Sequence, residues 1–280
     1  METMSLDGAV SFITGAGGGI GESIARELAA RGGVVVVADI EKDAADRVAQ
    51  DILSQGGQAE AMQVDVGNAQ VVQAVADEVF VRHGRLDVLV NNAGVSMRPL
   101  RAVWHASITD FEWMMRINYF GVVNGILSFL PRMRAQGTRG HIVNTSSFVT
   151  LDDVPGHGMY TASKAAVDGI SEVLRAELED QGDPIGVTVL YPGQVTTRIA
   201  TSERLRDASD RSEARGVKPY ARVRPIAAYQ KAIDPDLVGA MVIEAIEQNR
   251  PYCLTHPAPL ETLERRVRDY AAGAHDVQRA

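Results

Sequence analysis

Tyr160 stands four residues before Lys164 in the stretch GMYTASKAAV, residues 158–167. A free tyrosine ionises near pH 10 and is a poor base at neutral pH. A nearby cation favours its phenolate, and the i, i+4 spacing sets both side chains on one helix face. The pair therefore reads as a proton-exchanging phenol tuned by an ammonium. Ser147 lies thirteen residues upstream of Tyr160. Its hydroxyl can hydrogen-bond an oxygen on which charge develops, or simply cap a strand end.

A second group is glycine-rich. In TGAGGGIGES, residues 14–23, Gly15, Gly17, Gly18, Gly19 and Gly21 surround Ile20. Without Cβ atoms, backbone can approach a pyrophosphate, and a following helix offers free N–H groups and a positive dipole end. Eighteen residues past Gly21 comes Asp39. A carboxylate there can accept ribose hydroxyls and repels a 2′-phosphate; it can equally cap the next helix. No Arg or Lys lies in the glycine loop or directly beside Asp39 along the chain, Lys42 being the nearest. This favours NAD over NADP.

These residues need a scaffold. β-branched runs at 9–14, 34–39, 60–66, 86–91, 141–146, 186–192 and 251–255 read as strands. Most are continuously apolar, as in a parallel sheet covered on both faces. Helical patterns fall near 20–31, 42–55, 68–83, 110–135, 160–180 and 235–249. The alternation predicts an α/β fold, a doubly wound parallel sheet of about seven strands with helices on both faces, forming one domain over residues 1–280. Ligands of such sheets bind at the carboxyl ends of the strands. Residues 198–230 fit no strand–helix unit and read as a lid over the site, and 256–280 as a C-terminal tail containing a helix.

Together the motifs resemble the short-chain dehydrogenase/reductase family over roughly residues 6–200. TGAGGGIG is similar to its cofactor loop, and NNAG (Asn91–Gly94) to the motif closing its fourth strand. Tyr160 and Lys164 match its Y-x-x-x-K, Ser147 its catalytic serine, and Asn118 in INYFG its helix asparagine. Asp65-Val66 matches the pair beside the adenine, and YPGQVTT (191–197) the segment lining the nicotinamide. The resemblance implies a catalytic set of Asn118, Ser147, Tyr160 and Lys164. Tyr160 would be the general base or acid, Ser147 the hydrogen-bond donor, Lys164 the holder of the nicotinamide ribose, and Asn118 the support of a proton-relaying water. It implies a cofactor site of Gly15, Gly17, Gly19, Ile20, Gly21, Asp39, Asp65, Val66, Asn92, Ala93, Gly94, Tyr160, Lys164, Pro192, Gly193, Val195 and Thr197. Thr197 can also be a helix N-cap.

Substrate contacts are sought in the loops after these motifs: Ser96, Met97, Phe148, Val149, Val154, His157 and Gln194, with Ser147. Met97, Phe148, Val149 and Val154 are apolar, which suits a hydrophobic or aryl secondary alcohol; His157 also reads as an ordinary loop histidine. Residues 198–224 carry eight Lys/Arg against four Asp/Glu, either to attract an anion or as a solvated lid. A weaker resemblance, carried by NGILSFLPRMRAQGTRGHIVNTSS and DPDLVGAMVIEAIEQNRPYCLTH, is to the subgroup containing bacterial Cα-dehydrogenases of lignin-type aryl ethers. The expected activity is NAD-dependent interconversion of a secondary alcohol and a ketone. The alternatives are a 3-oxoacyl-thioester reductase of the same family and a non-catalytic dinucleotide sensor.

Bulk properties exclude other classes. The 280 residues are 45% hydrophobic and 23% charged, with net charge −8, against bulk nucleic-acid binding. One cysteine, Cys253, allows no internal disulfide and suits a reducing, cytoplasmic setting. The scattered histidines lack ligand spacing, so no metal site is expected. There is no signal-peptide pattern and no apolar run of membrane-spanning length. Apolar stripes along 110–135 and 160–180 predict a homodimer or homotetramer, the assembly the resemblance also implies.

Overall fold

Side chains alternate along each apolar run, so one strand feeds two cores. In β1 (Val10–Thr14), Val10 and Phe12 enter one core and Ile13 the other; in β2 (Val34–Asp39), Val36 and Ala38 oppose Val35 and Val37. The computed structural model describes residues 3–207 and 231–274. Its sheet continues with β3 (Gln58–Gln63), β4 (Val88–Asn91), β5 (Gly140–Thr145), β6 (Ile185–Tyr191) and β7 (Tyr252–Leu254). All seven strands are parallel, in the order β3-β2-β1-β4-β5-β6-β7. This is a single-domain Rossmann-type fold.

Helices cover both faces. On one side lie α1 (Gly19–Ala30), α2 (Lys42–Ser54) and α7 (Pro235–Glu247); on the other, α3 (Ala69–His83), α5 (Phe120–Gln136) and α6 (Gly158–Gln181). Phe12 and Phe129, both fully buried, meet at 4.6 Å between ring centroids. Burial of each such ring contributes about 1.5–3 kcal/mol. The strand order reverses between β1 and β4, and the loops after these strands open the crevice that receives a ligand.

The structure differs from the sequence expectations in several places. Residues 110–135 are not one helix: α4 (Ile108–Met114) passes through a π-helical turn, Met115–Tyr119, into α5. Such one-residue widenings re-aim a side chain and cluster at functional sites, and this one carries Asn118. The third strand lies earlier than 60–66 and is partly exposed, as an edge strand must be. Within residues 198–230, expected as a lid, Arg198–Leu205 forms 3-10 helix, while 208–230 lies outside the described residues. The tail contains α8 (Leu260–Gly273); its last six positions, 275–280, lie outside the described residues. Among the described residues no helix is long and apolar enough to cross a membrane.

Candidate active site

The glycine loop is fixed by hydrogen bonds between the ends of β1 and β4. Thr14 Oγ1 accepts from the N–H groups of Asn92 and Ala93, each at 3.0 Å, and Asn92 Nδ2 donates to Thr14 O at 3.0 Å. Two glycines are required by shape. Gly19 has φ +58°, a conformation costly for other residues. A Cβ on Gly21 would lie 2.3 Å from Gly15 O. Asp39 ends β2 and orients the loop: its Oδ2 accepts from Gly17 N at 2.8 Å and its Oδ1 from Glu41 N at 2.9 Å. Its helix-entry and cleft-facing roles therefore coexist.

In space, cations stand closer to this loop than the linear sequence suggested. Arg47 Nη2 donates to Gly17 O at 3.1 Å, and Arg198 hangs over Gly18. Arg47 pairs with Glu22, and Arg198 with Glu41. The sequence-based argument from missing cations therefore does not hold. The case for NAD falls to the Asp39 carboxylate.

At the other end of the cleft, Ser147 follows β5 and caps the short helix Phe148–Thr150. Its side chain hydrogen-bonds Tyr160, in the first turn of α6. Lys164, 2% exposed, donates from Nζ to Thr145 O at 2.8 Å. That nitrogen is 5.9 Å from the centre of the Tyr160 ring. Burial pushes the Tyr160 phenol up from its ordinary value, opposed by the Ser147 hydrogen bond and the charge of Arg98. The expected net lowering of the phenol is therefore absent here, because burial outweighs the groups that oppose it. Burial in turn lowers the Lys164 amine to about 8, with Asp168 opposing.

Asn118 is fully buried. Its Oδ1 accepts from Val95 N at 2.7 Å, and its Nδ2 donates to Val95 O at 3.0 Å and Ser163 Oγ at 2.9 Å. Both amide hydrogens are thus committed within the protein. Ser163 passes its own hydrogen to Tyr160 O at 2.8 Å. The Asn118 side chain thus ties the loop after β4 to the tyrosine's helix.

One cleft gathers Gly15, Gly19, Ile20, Asp39, Asp65, Val66, Asn92, Ala93, Gly94, Ser147, Tyr160, Lys164, Pro192, Gly193, Val195 and Thr197 along its wall. Gly17, Gly21 and Asn118 stand behind the wall and shape it. Thr197 Oγ1 accepts from Ile199 N at 3.4 Å, so it caps the helix Arg198–Leu205 while lining the cleft. The substrate candidates divide. Ser96, Met97 and His157 line a small second cavity that shares Tyr160. Phe148 packs with Val189 and Tyr191 in a separate core, and Val149 is buried. Val154 and Gln194 line neither cavity; the Val154 and Gln194 carbonyls accept from His157 N and Ile233 N. Phe148 and Val149 are thus buried, while Val154 and Gln194 are partly exposed beside the cleft. Trp113, Ile117, Ile199 and Leu205 add apolar side chains to the cleft lining. Nothing in the sequence singled these out, because their apolar character equally fits a buried helix. Arg98, which acts on Tyr160 and His157, was missed for a similar reason: it belongs to no motif.

A nicotinamide dinucleotide fits this donor set. The carboxylate stands at one end and the hydroxyl pair at the other. Between them, α1 begins without a side-chain cap, so its leading N–H groups have no side-chain partner.

Comparison with known proteins decides the family. A family profile described as short chain dehydrogenase matches residues 9–208. The chain belongs to the short-chain dehydrogenases. It is 34% identical over 279 residues to a "CLA biosynthesis dehydrogenase/reductase" of Lactiplantibacillus plantarum, covering 96% of this chain and 95% of that one. It is 31% identical to a "C alpha-dehydrogenase" of Sphingobium sp., covering 91% of this chain and 83% of that one. Among solved structures, a short-chain dehydrogenase/reductase from Burkholderia phymatum in complex with NAD superposes with TM-score 0.90 at 34% identity, covering 97% of each chain. A metagenomic short-chain oxidoreductase in complex with NADP gives 0.71 at 28% identity, covering 91% of this chain and 99% of that one. The chain is thus a short-chain dehydrogenase-type oxidoreductase with a nicotinamide-dinucleotide fold.

Proposed function

We propose that this short-chain dehydrogenase interconverts a secondary alcohol and a ketone with NAD as hydride carrier, on a bulky hydrophobic or aromatic substrate. The observation that carries the reading is the hydrogen-bonded Ser147–Tyr160 pair in front of buried Lys164, in one cleft with the glycine loop and Asp39. The nicotinamide supplies hydride donation or acceptance when bound. Everything else falls to the chain. In oxidation Tyr160 Oη takes the alcohol proton while Ser147 Oγ holds the same oxygen; in reduction Tyr160 returns the proton. Burial keeps the phenol protonated at neutral pH, the form that reduction requires. Lys164 supplies a positive charge below about pH 8, and Arg98 a second one.

Asp39 supports NAD, since a 2′-phosphate would meet its carboxylate. The NAD-bound relative from Burkholderia points the same way. Trp113, Ile117, Ile199 and Leu205 support an apolar substrate, as does the Sphingobium relative named a C alpha-dehydrogenase. Exposed Leu127 on α5 and Val173 on α6 suit a homodimer or homotetramer, in a cytoplasmic setting.

The test is absorbance of reduced nicotinamide during incubation with NAD and a panel of aryl and alkyl secondary alcohols. Turnover is expected with NAD, and Tyr160→Phe is expected to lower it by about 10²-fold or more while NADH still binds. A thioester reductase would instead turn over 3-oxoacyl thioesters, and a sensor would bind without turning anything over. Near-normal turnover by Tyr160→Phe would remove the tyrosine from the chemistry.

A further inference from the structure

Glu41 sits at the entry to α2, yet its side chain makes no cap bond there. It reaches the lid instead. Its Oε2 accepts from Arg204 Nη2 at 2.5 Å and from Arg198 Nη2 at 3.3 Å. Glu41, Arg198 and Arg204 line the same cleft as Gly18 and Asp39. Arg204 beside Glu41 holds that carboxyl below its usual range, so it is ionised at neutral pH. Two guanidinium groups thus share one carboxylate oxygen.

The two arginines are not equivalent. Arg204 has the shorter bond to Glu41 and two more from its Nη1, to Thr201 O at 3.3 Å and Thr201 Oγ1 at 3.2 Å. Arg198 makes only the longer bond among the described residues, and its side chain is 59% exposed. Its Nη2 and Nε lie 3.6 and 3.9 Å from where a Cβ on Gly18 would stand. Gly18 immediately precedes α1, whose first amides have no intrahelical acceptor. The guanidinium therefore hovers over the place where this fold sets a dinucleotide's pyrophosphate.

We infer that Arg198 is an exchangeable cation, paired with Glu41 in this structure and passed to the pyrophosphate of a bound dinucleotide, so that Glu41 and the cofactor compete for it. The inference rests on reading the cleft as a dinucleotide site. It assigns the lid an electrostatic part in cofactor affinity. The helix Arg198–Leu205 carries Arg198 at its first residue and follows the Thr197 cap directly, which fixes the base of the side chain beside the cleft. A charge-assisted bond to phosphate is stronger than a neutral one and sensitive to salt.

The experiment is titration calorimetry of the full chain with NADH, ADP-ribose, adenosine and NADP, for wild type, Arg198→Met and Glu41→Gln, at low and high salt. ADP-ribose carries the pyrophosphate without nicotinamide, and adenosine carries neither. Arg198→Met is expected to weaken NADH and ADP-ribose by a common factor of roughly tenfold. It should leave adenosine unchanged and flatten the salt dependence. Glu41→Gln is expected to tighten ADP-ribose at least about threefold, because the competing anion is gone. Unchanged ADP-ribose affinity in Arg198→Met overturns the proposal, as does a loss confined to NADP, which would make Arg198 a 2′-phosphate reader. Equal affinity of Glu41→Gln and wild type for ADP-ribose overturns the competition. Failure of wild type to bind NADH at all overturns the dinucleotide reading itself, a result distinct from normal binding that ignores Arg198. Because Arg198 is exposed, a thermal melt of Arg198→Met should match wild type and exclude misfolding.

Discussion

Asp110→Asn should be among the most damaging single-atom-scale changes available to this fold. Asp110 closes a capping box with Ser107 at the start of α4: Ser107 Oγ accepts from Asp110 N at 3.1 Å, and Asp110 Oδ2 accepts from Ser107 N at 3.0 Å. The same carboxylate accepts from Arg101 Nη1 at 2.7 Å and pairs with Arg206 Nη1 at 2.8 Å. The three side chains are 0%, 11% and 2% exposed, and the Arg206 guanidinium lies 4.8 Å over the Trp113 ring. Burial pushes the Asp110 carboxyl up, but the Ser107 backbone N–H, Arg206 and Arg101 outweigh it and the net shift is downward. Asparagine keeps the shape and removes the charge that two buried guanidinium groups face. Breaking a buried pair in this way costs about 3–5 kcal/mol. At about 2–4 °C per kcal/mol for a chain of this size, Tm should fall by roughly 10 °C. Thermal and urea unfolding followed by circular dichroism measure this directly. Because the folded carboxyl is depressed, its stabilisation is present at neutral pH and lost as pH falls through the folded pKa. Asp110→Asn should lose that acid-side decline as well. A stability loss under about 1 kcal/mol would refute the reasoning, since it would put the network in the range of a surface pair.

Two further predictions concern the scaffold. His141 is buried against Thr188 Oγ1 at 2.7 Å, and that hydroxyl donates to Arg250 O at 2.6 Å, which makes Nε2 the protonated nitrogen. Burial lowers its pKa to about 3, so protons bind the unfolded chain first and stability falls as pH drops below about 6.5. Between pH 7 and pH 5 this group alone should contribute about 2 kcal/mol of loss; urea titrations of wild type and His141→Gln should show that increment vanish, and an unchanged pH dependence would show that His141 is not held neutral. In Gly239→Ala the new Cβ would stand 2.2 Å from Ser23 Oγ and 2.9 Å from Ser23 backbone atoms, forcing α7 off α1 at a cost of about 1–3 kcal/mol, read as a lowered urea midpoint.

The sheet was legible because its signal is redundant. Val34 to Ala38 are apolar on both faces, and the run of four β-branched valines after Gly32-Gly33 marks a strand covered on both sides rather than a helix. The glycine loop was legible for a similar reason: Gly19 needs its positive φ and Gly21 needs its missing Cβ, and both requirements are written in residue type. The break at Met115–Tyr119 left no such trace. A π-helical turn is made by one extra residue in a continuous apolar pattern, and the reason for it, Asn118 reaching Val95, spans 23 positions of sequence. The substrate wall failed in the same way. Phe148 and Val149 were chosen because they follow Ser147, yet both lie in the short helix that Ser147 caps and both are buried, Phe148 against Val189 and Tyr191.

Electrostatics at the site shows where spacing stops being informative. Tyr160 and Lys164 share a helix face, as four-residue spacing requires, but side-chain direction is chosen by the best available acceptor. For a buried ammonium that acceptor is the Thr145 carbonyl at 2.8 Å, since an amine with no partner in a low-dielectric interior is costly. The phenol is left to the Ser147 hydroxyl, to Arg98 and to desolvation, and desolvation prevails. A raised phenol is not a defect in this chemistry. It holds the proton ready for a carbonyl at neutral pH, and it leaves ionisation to depend on positive charge brought into the cleft, so that proton removal from an alcohol is favoured when the hydride acceptor is also in place. The same logic governs the far end of the cleft, where Glu41 holds Arg198 until a stronger anion arrives.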